Sequence, residues 1–275
     1  MRAFNVIPGA NERFPTRIVC LTEETTETLY LLGEQDRIVG ISGFTVRPPR
    51  ARRDKPRVSA FTSARIDKIL GLEPDLVLGF SDLQADIARE LVRHGLAVHI
   101  FNQRSVNGIL QMIATLGALV GAADRAAALL ARLEADLSEV RREAQRLPRR
   151  PKIYFEEWNE PLISAIRWVS ELIEISGGID CFAELGSQPL AQHRIILDPM
   201  EVVRRQPDII IGSWCGKKFR PDQVRGRDGW LDIPAVRAGA LYEIKSADIL
   251  QPGPAALTDG LRQLRDIVQG WAQRG

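Results

Sequence analysis

The sequence predicts an α/β protein of two Rossmann-like lobes with parallel sheets, joined by one long α-helix. Three observations support this fold class. The two halves share a sequence pattern, predicted strands alternate with predicted helices, and a long amphipathic stretch separates the halves. Alternating strands and helices are typical of parallel sheets with helices on both faces. We predict lobes at residues 1–121 and 151–275, with the connecting helix over 122–150.

The shared pattern is a Pro-Asp turn followed by three aliphatic residues and a glycine. It reads Glu-Pro-Asp-Leu-Val-Leu-Gly-Phe at 73–80 and Gln-Pro-Asp-Ile-Ile-Ile-Gly-Ser-Trp at 206–214. A short apolar run between turn signals predicts a strand that is buried on both faces. Three further predicted elements correspond between the halves. The opening strands lie at 17–21 and 152–156, and the helices before the shared pattern lie at 66–70 and 199–205. The strands after the shared pattern lie at 95–101 and 239–245.

The stretch between the halves predicts the connecting helix. It is rich in Ala, Leu, Arg and Glu and has no glycine or proline from 122 to 147. Its apolar residues recur at spacings of four and three, which indicates one face of an amphipathic helix: Leu129, Leu133, Leu137 and Val140. A Pro-Arg-Arg-Pro sequence then ends the helix and starts the second lobe.

Composition restricts the possible functions. Hydrophobic residues make up 45% and charged residues 26% of the chain, which indicates a globular protein rather than a disordered one. A net charge of only +2 argues against a general nucleic-acid binder. No stretch approaches a membrane span, and residues 1–9 lack the apolar core of a secretory signal. We therefore expect either a cytosolic protein or one whose leader has been removed.

The motifs of common enzyme classes are missing. The chain has no G-x-G-x-x-G after the first strand, no P-loop and no G-x-S-x-G elbow. Its histidines do not form a ligand pair, and its cysteines are too few and too scattered for a disulfide framework or structural zinc. The sequence thus predicts a binding protein, without catalytic residues or a metal site of its own.

Several motifs, in order along the chain, resemble one known family: the substrate-binding proteins of ABC importers for cobalamin, ferric siderophores and haem. The match begins at Arg17-Ile-Val-Cys-Leu-Thr-Glu-Glu-Thr-Thr-Glu27 and continues through the Ile-Leu-Gly-Leu-Glu-Pro-Asp-Leu-Val-Leu-Gly run at 69–79. In the second half Glu160-Pro-Leu162, Glu171-Leu-Ile-Glu174 and Pro252-Gly-Pro254 are similar to the family. The resemblance implies a class III periplasmic-binding fold and a ligand held between the lobes.

The cobalamin-binding branch is the most similar. Arg47-Pro-Pro-Arg-Ala51 stands where that branch has a Tyr-Pro-Pro-type loop, and Phe61 and Phe80 stand where it often has tryptophans. Aromatic side chains suit a large flat ligand because they bury much apolar area. The basic residues suit an anionic ligand, and a cysteine is a candidate soft ligand for its metal. The residues expected to bind the ligand are Phe44, Arg47, Phe61, Phe80, Arg167, Trp168, Trp214, Cys215 and Lys217.

The resemblance also implies a membrane partner. In the family, a glutamate from the first helix of each lobe pairs with arginines of the permease, and Glu27 and Glu171 occupy these places. The helix dipole alone also favours carboxylates in a first helical turn. The protein is expected to be a monomer with no intrinsic cofactor, whose bound ligand is a corrinoid or another metal chelate.

Three alternatives stay open at this point. The ligand could be a ferric siderophore or haem, and the predicted aromatic residues could belong to the core. The chain could be a cytosolic corrinoid carrier or sensor, in which Glu27 and Glu171 are dispensable. An enzyme acting on a bound corrinoid would use Cys215 or His193 as its working group.

Overall fold

The computed structural model describes residues 13–274. The expectation about a secretory signal at residues 1–9 concerns part of the chain outside these residues. The described chain divides into two compact units. Unit 1 comprises the chain up to Gln103 together with Leu110–Ala131, and unit 2 comprises Arg104–Ile109 and the chain from Arg132 onward.

Ten strands and thirteen α-helices are assigned among residues 13–274. The strands are β1 Ile18–Cys20, β2 Ile38–Ser42, β3 Arg57–Ser59, β4 Leu76–Phe80, β5 Val98–Phe101, β6 Lys152–Asn159, β7 Leu162–Ser164, β8 Ile179–Asp180, β9 Ile209–Gly212 and β10 Leu241–Glu243. The helices are α1 Glu23–Leu31, α2 Ala51–Asp54, α3 Ile66–Leu70, α4 Ala85–Arg93, α5 Val106–Leu119, α6 Ala123–Ala144, α7 Arg167–Ile175, α8 Ala183–Gly186, α9 Met200–Arg205, α10 Pro221–Arg225, α11 Pro234–Arg237, α12 Ser246–Ile249 and α13 Leu261–Ala272. A π-helical turn, Ala256–Gly260, precedes α13.

Unit 1 is built on a parallel sheet of five strands in the order β3-β2-β1-β4-β5. The central strand β1 pairs in parallel with β2 and with β4, and every residue of β1 and β4 is buried. Aliphatic side chains from the sheet pack with helix residues into one core: Val19, Leu21, Val58, Ile69, Val77 and Leu91. The continuous apolar run of β4 is thus explained by helices covering both faces of the sheet.

Unit 2 has a sheet in the order β10-β9-β6-β7, with β8 pairing beside β6. The strands β6, β8, β9 and β10 are parallel, but β7 runs antiparallel to β6, so this sheet is mixed. Only Glu160 and Pro161 separate β6 from β7, and a two-residue connection allows only a hairpin. The prediction of two α/β lobes with parallel sheets is confirmed apart from this one strand.

The aspartate of the repeated turn has the same contact in both units. The Asp75 carboxylate accepts a hydrogen bond from the Arg17 N–H at 3.0 Å, and the Asp208 carboxylate accepts one from the Lys152 N–H at 2.8 Å. Each carboxylate therefore fastens the start of the opening strand to the start of the strand beside it. The sequence pattern repeats because each sheet needs this connection at the same place.

The long helix is α6, which begins at Ala123 and ends at Ala144. All four leucine and valine residues of the predicted apolar face are buried. The boundary between the units falls inside this helix, after Ala131. The predicted lobe limits at 121 and 151 stay a prediction. Among residues 13–274, no helix combines the length and the apolar character that crossing a membrane requires.

Candidate functional site

Two exposed phenylalanines lie at the carboxyl edge of the unit 1 sheet. Phe44 follows β2 by two residues, Phe61 follows β3 by two residues, and these neighbouring strands pair Ser42 with Ser59. Phe44 is 57% exposed and Phe61 is 37% exposed. Because parallel strands end at one edge of a sheet, Phe44 and Phe61 both lie at this edge, and we call them the aromatic pair. Open parallel sheets bind ligands at this edge.

Phe80 has a different environment. It is the last residue of β4, is only 5% exposed, and pairs in register with Phe101 of β5. Its backbone N–H donates to the Gln84 Oε1 at 2.9 Å, and the Gln84 Nε2 donates to the carbonyl oxygen of Phe61 at 2.9 Å. Phe80 is at the predicted place but has little surface to offer a ligand. A buried amide connects it to the aromatic pair.

The residue after β4 is strained. Ser81 has φ +63° and ψ 171°, a conformation that is largely restricted to glycine. Its N–H donates to the carbonyl oxygen of Phe101, and its hydroxyl accepts from the Leu83 N–H. Such strain concentrates at ligand-binding positions, and here it lies at the carboxyl end of a central strand.

Three carboxylates occupy the start of α1, directly after β1. Burial raises the pKa of Glu23 to about 8, and the charges of Glu24 and Glu27 add to the shift. Burial also raises the pKa of Glu24 to about 7, although a hydrogen bond from the Thr22 hydroxyl opposes it. The side chains of Glu23 and Glu24 are both buried.

The carboxyl edge of unit 2 is closed by its own packing. Trp214 follows β9 by two residues but is only 3% exposed, and its indole N–H donates to the Glu156 Oε1 at 2.9 Å. Glu156 is fully buried and forms a bidentate ion pair with Arg227, with N···O distances of 2.6 and 2.8 Å. The Tyr154 hydroxyl donates to the same carboxylate. Trp214 is therefore held inside unit 2 by a buried polar network.

Trp168 is also a core residue. It is 3% exposed, and its indole N–H donates to the carbonyl oxygen of Ile249 at 2.9 Å. The neighbouring Arg167 is exposed. Neither tryptophan presents a ring face as the aromatic pair does, so a ligand contact through Trp168 or Trp214 remains a prediction.

A basic loop follows Trp214. Cys215 and Lys217 are exposed, and the Lys217 ammonium lies 4.1 Å from the ring centre of Trp158 and 5.2 Å from that of Trp214. These distances are within the range of cation–π attraction. Among the described residues, the three cysteines Cys20, Cys181 and Cys215 form no disulfide bond. In residues 13–274, no group of three or more His, Cys, Asp or Glu side chains is arranged to hold a metal ion.

Comparison with known proteins identifies the family. A family model described as periplasmic binding protein matches residues 18–247. The chain belongs to this periplasmic binding protein family. As a member it is a substrate-binding protein of the ABC transporter type, and this class of transport component is not enzymatic.

Individual relatives agree with this assignment. An uncharacterised ABC transporter substrate-binding lipoprotein of Bacillus subtilis is 24% identical over 92% of this chain and 80% of its own length. A cobalamin-binding protein of Halobacterium salinarum is 26% identical over 72% of this chain, which spans 53% of that relative's length. A periplasmic haem-binding protein of Roseiflexus has a similar structure, with a TM-score of 0.78 and 25% identity over 92% of this chain and 99% of that one.

The two glutamates predicted to dock onto a permease, Glu27 and Glu171, both form hydrogen bonds within the chain. In unit 1, the Arg47 Nε donates to the Glu27 Oε1 at 2.9 Å, and the Glu27 side chain is largely buried. In unit 2, the Arg167 Nε donates to the Glu171 Oε1 at 2.8 Å, and the Val106 N–H donates to the Glu171 Oε2 at 2.7 Å. Each expected docking carboxylate is thus bonded to an arginine that was expected to bind the ligand.

The sequence analysis missed the buried polar residues that organise both edges. Gln84, Glu156 and Arg227 were not singled out, nor was Arg194, which is fully buried and makes a bidentate ion pair with Glu157. A signal existed for Glu156, because it follows the apolar run Ile-Tyr-Phe in the strand predicted at 152–156. A carboxylate in such a strand requires a buried cation or donor.

Proposed function

We propose that the protein captures a corrinoid such as cobalamin for an ABC importer. The observation that carries this proposal is the aromatic pair, two exposed phenylalanines at the ends of neighbouring strands in a family of binding proteins. A corrinoid is a large, nearly flat macrocycle, and flat ligands gain most from rigid aromatic surfaces. The cobalamin-binding relative from Halobacterium supports the same ligand class.

Charged residues near the carboxyl edges of the two sheets would determine which corrinoids bind. Arg47 is only partly exposed, whereas Arg167 and Lys217 are exposed, and all three carry positive charge. They would favour a ligand with carboxylate or phosphate groups over a neutral one. The exposed thiol of Cys215 is the candidate for ligating the metal of the bound chelate, which arrives with the ligand and is not a resident cofactor.

Haem is the second candidate, favoured by the similarity to the haem-binding protein of Roseiflexus. Haem-binding proteins usually supply an axial His, Cys, Met or Tyr. The three histidines lie after α4, within β5 and in the turn Ala191–Arg194, and none of them follows the carboxyl end of a strand. Corrinoid binding does not require an axial ligand from the protein, whereas haem would have to use Cys215 after β9 or another residue that is not a histidine.

We also propose that Glu27 and Glu171 dock the protein onto the permease at the outer face of the cytoplasmic membrane. The permease arginines would have to replace Arg47 and Arg167, which now bond to the two carboxylates. A cytosolic carrier on this fold would bind the same ligand and would tolerate Glu27→Ala with Glu171→Ala in a ligand-uptake assay. An importer component would lose uptake in that double variant while keeping its affinity for the ligand.

The test is a titration of the purified protein with cyanocobalamin, cobinamide, haemin and two ferric siderophores, followed by absorbance and tryptophan fluorescence. We expect saturable one-to-one binding of a corrinoid, weakened about tenfold by Phe44→Ala or Phe61→Ala. Phe14→Ala is the matched control, because Phe14 is 38% exposed, close to the 37% of Phe61, but precedes β1. Binding of haemin alone would replace the corrinoid by haem, and a silent panel would refute both ligands.

A further inference from the structure

The side chain of Gln84 makes two hydrogen bonds, to backbone groups that follow or end two different strands. It is fully buried and closes the short turn Asp82–Gln84 between β4 and α4. Its amide accepts from the Phe80 N–H and donates to the Phe61 carbonyl oxygen, both at 2.9 Å. The two partners also fix the amide's orientation, because a flipped amide would place NH₂ against N–H and oxygen against oxygen.

The bond to Phe61 reaches across the sheet. In the strand order β3-β2-β1-β4-β5, β3 and β4 are separated by two strands. The turn after β3 closes on itself through the bond from the Ala60 N–H to the Ser63 carbonyl oxygen, and Gln84 then attaches it to the end of β4. The position of the Phe61 ring at the carboxyl edge therefore depends on an amide from the other side of the sheet.

The local sequence leaves room for this amide. A Cβ atom at Gly79 would lie 2.7 Å from the Gln84 Oε1, closer than real contacts allow. The strained backbone of Ser81 then leads the chain from β4 into the turn that carries Gln84. Gly79, Ser81 and Gln84 thus act together, and an ordinary turn would not need the strain at Ser81.

We propose that Gln84 is a positioning residue for ligand binding. It holds Phe61 at the carboxyl edge of the sheet, in the position in which the Phe61 ring contacts the macrocycle. This inference rests on the proposed function, because it assumes that the ligand contacts the aromatic pair. Gln84 itself is buried and touches no ligand. Its effect on affinity must therefore pass through Phe61, and this requirement separates positioning from a general contribution to stability.

A double-mutant cycle with cyanocobalamin tests that requirement. We expect Gln84→Leu, which keeps the size but removes both hydrogen bonds, to weaken affinity about five- to tenfold in the folded protein. In the Phe61→Ala background the same substitution should change affinity less than about twofold. Equal losses in both backgrounds, or no loss in either, would overturn the proposal.

A second variant separates the two bonds of the amide. In Gln84→Glu, the protonated acid can still accept from the Phe80 N–H and donate to the Phe61 carbonyl, whereas the carboxylate can only accept. We expect affinity close to that of the unsubstituted protein at pH 5 and a loss at pH 8. Each value is compared with the unsubstituted protein at the same pH, because Glu23 and Glu24 titrate in both. A pH-independent ratio would contradict the role of the Phe61 bond.

Hydrogen exchange tests the positioning role of Gln84 in the ligand-free protein. We expect the peptide covering residues 59–65 to exchange faster in Gln84→Leu, with α13 unchanged as the internal control. Unchanged exchange at 59–65 would overturn the positioning role, whatever binds. Failure of the unsubstituted protein to bind cyanocobalamin would instead refute the corrinoid proposal, and the exchange result would still decide on Gln84.

Discussion

A glycine lies near the carboxyl end of the repeated strand in both units, Gly79 in β4 and Gly212 in β9, but a different side chain fills the space beside it. At Gly79 in unit 1 the neighbours are the Gln84 amide and the Ile100 side chain, and at Gly212 in unit 2 the neighbour is the Phe219 ring. The Phe219 ring also packs edge-on against Trp214, with 5.1 Å between ring centres. A polar amide leaves the edge of unit 1 open, whereas an aromatic ring closes the edge of unit 2.

This difference decides which aromatic side chains a ligand can reach. In unit 1, the hydrogen bonds of Gln84 are made to backbone groups, and the rings of Phe44 and Phe61 are exposed. In unit 2, Trp168 and Trp214 are buried, and the indole N–H of each donates a hydrogen bond within the unit. The aromatic residues of the repeated pattern itself, Phe80 and Trp214, are buried in both units, and the exposed rings of unit 1 follow other strands, β2 and β3.

The largest expected effect concerns the ion pair beneath Trp214. Arg227→Met should lower the free energy of unfolding by about 3–5 kcal/mol, because it leaves the buried Glu156 without a cation. The measurement is urea unfolding followed by tryptophan fluorescence, since all five tryptophans lie in unit 2. Arg225→Met is the control, an exposed ion pair two residues away that should cost less than about 1 kcal/mol. Equal effects would show that unit 2 is not held by this pair.

The next effect concerns the carboxylates of unit 1. Glu23 has a pKa raised to about 8 from an ordinary 4.5, so folding favours its protonated form. That contribution to stability is complete below pH 4.5 and is lost as pH rises to 8. Glu23→Gln stays neutral, so it should match the unsubstituted protein at pH 4 and exceed its stability by about 2–4 kcal/mol at pH 9. Parallel pH profiles would contradict the shift.

Circular dichroism is the probe for that comparison, because unit 1 contains no tryptophan. Glu90→Gln is the matched control, a half-exposed carboxylate on α4. Its pH profile should follow that of the unsubstituted protein. A gain at high pH in both variants would indicate a general effect of removing negative charge.

The fold was largely predictable because its signals are local. The runs that became β4 and β9, the helix α6 and the turns with Asp75 and Asp208 all follow from neighbouring residues. The hairpin of β6 and β7 was missed, although Glu160-Pro161-Leu162 was noticed as a family motif. The two-residue connection is visible only after both strands have been delimited.

The candidate site was harder to predict because exposure depends on distant partners. Phe61 and Trp214 occupy similar places in the fold, since each follows a strand by two residues. Whether the ring is exposed depends on Gln84 in one case and on Phe219 and Glu156 in the other. These residues lie 5 to 58 positions away, and no periodic pattern connects them to the rings.

The smallest expected effect on stability concerns Gly79 and Gly212. Gly212→Ala should cost about 2–3 kcal/mol, because the new methyl group would overlap the Phe219 ring. Gly79→Ala should cost about 1–2 kcal/mol, since the groups it meets are the movable ends of Ile100 and Gln84. Gly270→Ala, in open space on α13, is the control and should stabilise by about 0.5–1 kcal/mol.

The two glycine variants should rank differently in corrinoid affinity than in the free energy of unfolding. Gly79→Ala displaces the amide that carries Phe61, so it should weaken corrinoid binding although its cost in stability is smaller. Gly212→Ala disturbs an edge whose tryptophan is already buried, so affinity in the folded protein should change less. Urea unfolding and absorbance titration of the two variants give both orders. If Gly212→Ala lost more affinity than Gly79→Ala, the binding surface would have to be assigned to the edge of unit 2 instead.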